Sequence, residues 1–85
     1  MLNIFYVITI RGKWRDEDNW DEYCYDVYND GWYHRIYSSS FINTLEEARK
    51  LAAKVECDDD DEFEYDKDSL TIKKIALEPV ESVRR

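Results

Sequence analysis

Near the N-terminus, apolar residues occupy both parities of an extended pattern. Over Asn3–Arg11, Ile4, Tyr6, Ile8 and Ile10 would share one strand face, with Phe5, Val7 and Thr9 on the other. A strand that is apolar on both faces belongs at the centre of a sheet, or under cover on both sides. Gly12 and the polar residues up to Asn19 read as a connection. Asp21–Asn29 reads as a second strand, with Tyr23, Tyr25 and Val27 on one face and Cys24, Asp26 and Tyr28 on the other. Asp30-Gly31 is a hairpin signal, and a third strand follows from Trp32 to about Ser38. A two-residue type I′ loop would set Tyr28 opposite Tyr33, Asp26 opposite Arg35 and Tyr25 opposite Ile36. A three-residue Asn29-Asp30-Gly31 loop with a bulge would shift that pairing by one.

Ser38-Ser39-Ser40 interrupts the alternation, and Thr44 with Glu47 then makes a capping box. Leu45, Ala48, Leu51, Ala52 and Val55 form one stripe at helical spacing, predicting a helix from Thr44 to about Glu56. The acids that follow oppose the helix dipole and end it. Ser69–Leu77 reads as a last strand whose alternation slips at Lys73-Lys74. A bulge there, or burial of both faces at the strand's ends, would account for the slip. Pro79 is expected to stop the strand, leaving residues 80–85 as a loose tail. The order β-β-β-α-β predicts a single α+β domain over residues 1–79. It is a small antiparallel sheet of about four strands with one helix packed on one face.

The distribution of charge says more about function than any motif. Of the twenty acidic residues, sixteen fall in two stretches. One holds Asp16, Glu17, Asp18, Asp21, Glu22, Asp26 and Asp30; the other runs from Glu56 through Asp58, Asp59, Asp60, Asp61, Glu62 and Glu64 to Asp68. Such crowding adds nothing to a core and repels itself, yet it creates a strong surface field whose natural partner is a basic surface. The net charge of −8 disfavours direct binding to nucleic acid or to an anionic membrane. The apolar N-terminal run lacks the basic flank and small-residue cleavage site of a signal peptide, so a cytoplasmic location is expected.

Candidate chemistry narrows little further. Cys24 and Cys57 fit neither a metal spacing nor a disulfide framework, and free thiols are expected. A calcium loop starting at Asp58 would place Phe63 where Gly is needed and Ser69 where Glu is needed. A Cys24–His34 pair would need both side chains on one face, which the type I′ register denies and the bulged register allows. Phosphate loops, serine elbows and zinc signatures do not occur in the sequence, so neither catalysis nor a cofactor is expected. In the type I′ register Tyr28, Tyr33 and Tyr37 share a half-polar face with Asp26 and Arg35, opposite the helix and suited to protein recognition.

A small, acidic, one-helix, β-rich chain of this kind resembles phage-encoded inhibitors, especially the DNA-mimicking anti-CRISPR and anti-restriction proteins. Asp16-Glu17-Asp18, Asp21-Glu22 and Asp58-Asp59-Asp60-Asp61-Glu62-Phe63-Glu64 carry the resemblance. Bacterial immunity proteins and acidic antitoxins share the format. Self-repulsion of the acidic surfaces predicts a monomer, and the resemblance implies the bacterial host cytoplasm. The partner would be a basic nucleic-acid-binding protein or ribonucleoprotein complex, and the candidate contact residues are the acids together with Tyr33 and Tyr37. The alternative is an interaction module that docks through the tyrosine face.

Overall fold

The computed structural model describes residues 3–77 together with Val80, Glu81 and Val83. The expected stop at Pro79 and most of the expected tail lie outside the described residues; Val80 and Val83 are solvent-exposed. Strands β1 (Asn3–Trp14), β2 (Asp21–Asp26), β3 (Gly31–Tyr33) and β4 (Phe63–Leu77) form one antiparallel sheet in the order β3-β2-β1-β4. Helix α1 (Leu45–Ala52) lies between β3 and β4 in the chain. The fold is therefore α+β, with one four-stranded antiparallel sheet and one helix.

β1 is central, as its doubly apolar pattern predicts, and Val7, Ile8, Thr9 and Ile10 are all buried. On the helix-covered face Ile8 packs with Tyr25, Ile42 and Ala48, flanked by Tyr6, Leu51, Ala52, Val55, Leu70 and Ile72. The helical stripe thus meets the sheet. Thr44 caps α1 by accepting the Glu47 N–H at 3.1 Å, but regular helix ends at Ala52, short of the expected Glu56. The opposite face is not bare either. A 3-10 turn at Ser38–Ser40 lies against β2, Ser40 is fully buried, and the Phe41 ring meets Phe5 at 5.0 Å.

Three further expectations are corrected. The hairpin register is neither predicted one: Cys24 pairs with Tyr33, Tyr25 with Trp32 and Asp26 with Gly31, around a loop of residues 27–30. The cause is Asp26. Its Oδ1 accepts the N–H groups of Tyr28 and Asn29 at 3.0 and 3.1 Å, and its Oδ2 accepts the Asn29 amide at 3.2 Å. This side-chain-capped turn ends β2 early and leaves Asp30, not Gly31, with a positive φ of 51°. Second, β4 starts at Phe63 rather than Ser69. Third, the irregularity lies between the pairs Thr9–Thr71 and Arg11–Asp66, not at the lysines; there Ser69 Oγ accepts the Arg11 N–H at 2.8 Å. Ile75 pairs with Phe5, on the face away from Ile72, so the strand is apolar on both faces near its C-terminal end.

Two local hydrogen-bond sets make stability depend on pH. Burial first, and then the hydrogen bond to Asp30, push the Tyr25 hydroxyl up to about 12 from 10.0. Because the folded value is raised, the stabilisation is complete below pH 10 and is lost as pH rises toward 12. Burial would raise the Asp26 carboxyl, but hydrogen bonds from Asn29, Ser39 and Tyr28 outweigh it and hold it below 3.8. That contribution is present above the ordinary value and lost as pH falls below it. In urea titrations the unfolding midpoint should fall on both flanks, and Tyr25→Phe should flatten the alkaline flank. Identical alkaline slopes for the two proteins would contradict this account of Tyr25.

Candidate partner-binding surface

The pairing of β1 with β4 decides where the acids sit. Trp14 pairs with Phe63, and one step further the Arg15 N–H donates to the Glu62 carbonyl at 2.8 Å. This brings the β1–β2 turn, with Asp16, Glu17 and Asp18, beside the loop that carries Asp58, Asp61 and Glu62. Asp16, Asp61, Glu62, Trp14 and Arg15 line one hollow of about 340 Å³. Parts of the two acidic stretches, distant in sequence, thus adjoin at one end of the sheet: Asp16 to Asp18 from the first, and Asp61 and Glu62 from the second.

Not all the expected site residues contribute free charge there. Past the β4 irregularity, acids alternate with aromatics. Glu64 pairs with Lys13 at 3.0 Å and with Arg15 at 3.4 Å, and Asp66 pairs with Arg11. Glu22 reaches across β1 to Lys73. These are cross-strand ion pairs on the face away from the helix, each worth at most about 1 kcal/mol when exposed. Asp59 Oδ1 accepts the Tyr65 N–H at 2.8 Å, and Asp60 Oδ1 accepts those of Glu62 and Phe63 at 2.8 and 2.7 Å. The N–H groups of Glu62 and then Phe63, with Arg15 nearby, hold the Asp60 carboxyl below its ordinary value. Asp59 and Asp60 therefore build the loop as well as charging it. Among the described residues no ion pair involves Asp16, Glu17, Asp18, Asp21, Asp58, Asp61 or Glu62, and all seven are exposed.

Asp26 is the clearest correction to the expected surface. It is 1% exposed and its carboxylate is engaged by its own turn, away from the acidic end. Tyr33 and Tyr37 do remain exposed, with rings in edge contact at 5.6 Å, and border a hollow of about 330 Å³ whose lining also includes Asp26, Asn29, Ser38 and Ser39. Tyr28 is exposed but lies in the loop, and Arg35 falls beyond β3. The acidic end and the tyrosine pair are separate features.

The observed register puts Cys24 and His34 on opposite faces. Cys24 is buried opposite Thr9, and burial pushes its thiol up; the His34 ring meets Tyr23 at 4.2 Å. Among the described residues no His, Cys, Asp and Glu side chains are grouped to hold a metal ion, and no helix is long and apolar enough to cross a membrane.

Sequence pattern alone missed an aromatic cluster beside the acids. Gly12, Trp14, Tyr23, Trp32, His34, Phe63 and Tyr65 share the helix-covered face, where Trp32 also packs on the core under the helix and the others lie outside that core. Phe63 is the hub, with ring centroids 5.1 Å from Trp14, 5.3 Å from Tyr23 and 4.9 Å from Tyr65. Gly12 makes room for it, since a Cβ there would lie 2.7 Å from the Phe63 ring. The available signal was Phe63-Glu64-Tyr65-Asp66, which alternates with strand period inside the charge run. Comparison with protein-family models, curated proteins and solved structures finds no match to this chain.

Proposed function

We propose that this protein is a binding protein, not an enzyme, and that its acidic end occupies the basic, nucleic-acid-holding surface of a partner. The reading rests on one observation: the Arg15–Glu62 backbone contact brings Asp16, Glu17 and Asp18 beside Asp61 and Glu62, exposed carboxylates that form no ion pair among the described residues. Lys and Arg side chains that hold phosphate accept carboxylate as well, and Arg does so bidentately. Acids on two adjoining loops offer a dense array of negative charge, as a phosphate backbone does. The partner class is a basic nucleic-acid-binding protein or ribonucleoprotein of a bacterial host, and a defence complex of the CRISPR type fits that description. A second reading is supported by the exposed Tyr33–Tyr37 pair, which would make the protein a module docking through those rings while the acids confer solubility.

Substitution separates the two. Reversing Asp16, Asp58 and Asp61 to Lys leaves the hydrogen bonds of Asp59 and Asp60 in place. The triple variant should keep its fold by circular dichroism and lose at least a hundredfold in affinity for partners captured from a bacterial lysate and identified by mass spectrometry. Tyr33→Ala with Tyr37→Ala should change that affinity less than threefold. The opposite result would establish the tyrosine-docking reading instead.

A further inference from the structure

Beside the acidic end, Trp14, Tyr23, Trp32, His34, Phe63 and Tyr65 surround a cleft of about 330 Å³ together with one carboxylate, Asp60. We propose that this cleft is an arginine pocket, which receives a guanidinium from the basic partner surface and stacks it on the rings against Asp60. The inference rests on the acidic-end reading and deepens it by naming the side chain the partner inserts.

Three features favour this occupant. Trp32 belongs to the core that helix α1 covers, and its Nε1–H donates to the Glu56 carbonyl at 2.9 Å, but Trp14, Tyr23, His34, Phe63 and Tyr65 stand outside that core at the other end of the face. Edge-on packing of Phe63 against Trp14, Tyr23 and Tyr65 fixes the rings, and a fixed ring face attracts a cation. Lys13 already lies 5.5 Å from the Trp20 ring centre, a cation on an aromatic face within the same fold. Charge then selects among possible occupants. Both N–H groups that reach the Asp60 carboxylate fall on Oδ1; the nearby Arg15 guanidinium donates to the Asp60 carbonyl at 2.9 Å, and the carboxylate makes no ion pair among the described residues. Asp61 and Glu62 lie exposed in the same loop. A neutral apolar side chain would gain from the rings but nothing from this field. A lysine ammonium is more strongly hydrated and lacks the planar fork that stacks and meets a carboxylate at once.

The test uses fluorescein-labelled octa-arginine and octa-lysine as probes, read by anisotropy at matched ionic strength. The wild-type protein should bind octa-arginine about tenfold more tightly than octa-lysine. Trp14→Ala should erase most of that preference while leaving octa-lysine affinity within about twofold, and Trp14→Phe should retain it. Asp60→Asn keeps the Oδ1 acceptor that shapes the loop but removes the charge, and should also narrow the preference. Equal binding of the two peptides by the wild-type protein, or a preference that survives both Trp14→Ala and Asp60→Asn in folded protein, would overturn the pocket. If neither peptide binds, or binding ignores the reversal of Asp16, Asp58 and Asp61, the acidic-end reading itself fails.

Discussion

Ile8→Asp should leave the chain unfolded at 25 °C. Ile8 is 0% exposed in the central strand, enclosed by Tyr25, Ile42 and Ala48. Losing its burial costs about 1.5–3 kcal/mol. A carboxylate in its place has no base within the cluster, and an unpaired buried charge costs several kcal/mol more. An 85-residue domain sits toward the lower part of the usual stability range of about 5–15 kcal/mol, so the two terms together exhaust it. Ile8→Val, at roughly 0.5–1.5 kcal/mol, should stay folded and serve as the control. Circular dichroism should show no cooperative melt for Ile8→Asp. A cooperative transition within a few degrees of wild type would mean that the core lies elsewhere.

Gly12→Ala is the second large effect, and its sign is decided by two opposed terms. Replacing a strand glycine restricts the unfolded chain and would stabilise by about 0.4–1 kcal/mol if the site had room. It has none: the new Cβ would stand 2.7 and 2.8 Å from two Phe63 ring carbons and 3.3 Å from Tyr23. The Phe63 ring is in contact with Trp14, Tyr23 and Tyr65 and has little freedom to yield. Overpacking costs about 1–3 kcal/mol, so the steric term wins and the variant should unfold at lower urea than wild type. The same displacement should disorder the aromatic cleft and change its tryptophan fluorescence. A variant as stable as wild type would show that Phe63 does not lie over Gly12.

Much of the fold was legible because some signals carry their own confirmation. β1 announces a central position by being apolar on both parities, and α1 by a stripe that agrees with its cap at Thr44. The hairpin was not legible. Asp30-Gly31 is a strong local turn signal, but the carboxylate of Asp26, four residues upstream of Asp30, organises a different turn first. The start of β4 was hidden for a related reason. Acids dominate residues 56–68, and only the partner strand explains them: Glu64 and Asp66 face Lys13 and Arg11, while Phe63 and Tyr65 face Trp14 and Gly12. Complementarity of that kind joins residues about fifty positions apart and cannot be seen in either segment alone. For the candidate surface, the acids were visible in the sequence but their convergence was not, since it depends on that same strand pairing. Asp26 was misplaced with the hairpin register, and the aromatic cleft went unseen with the start of β4.

If the acidic end takes the place of nucleic acid on a basic partner, nucleic acid and this protein must exclude one another there. The most direct measurement is competition: the purified complex with a captured partner is titrated with duplex DNA at constant ionic strength, and the dissociation constant is followed across a salt series. Mimicry predicts that DNA displaces the protein completely and that affinity falls steeply with salt, as it does when many charged contacts are screened. A stable ternary complex with DNA bound alongside the protein, at an affinity indifferent to salt, would contradict it.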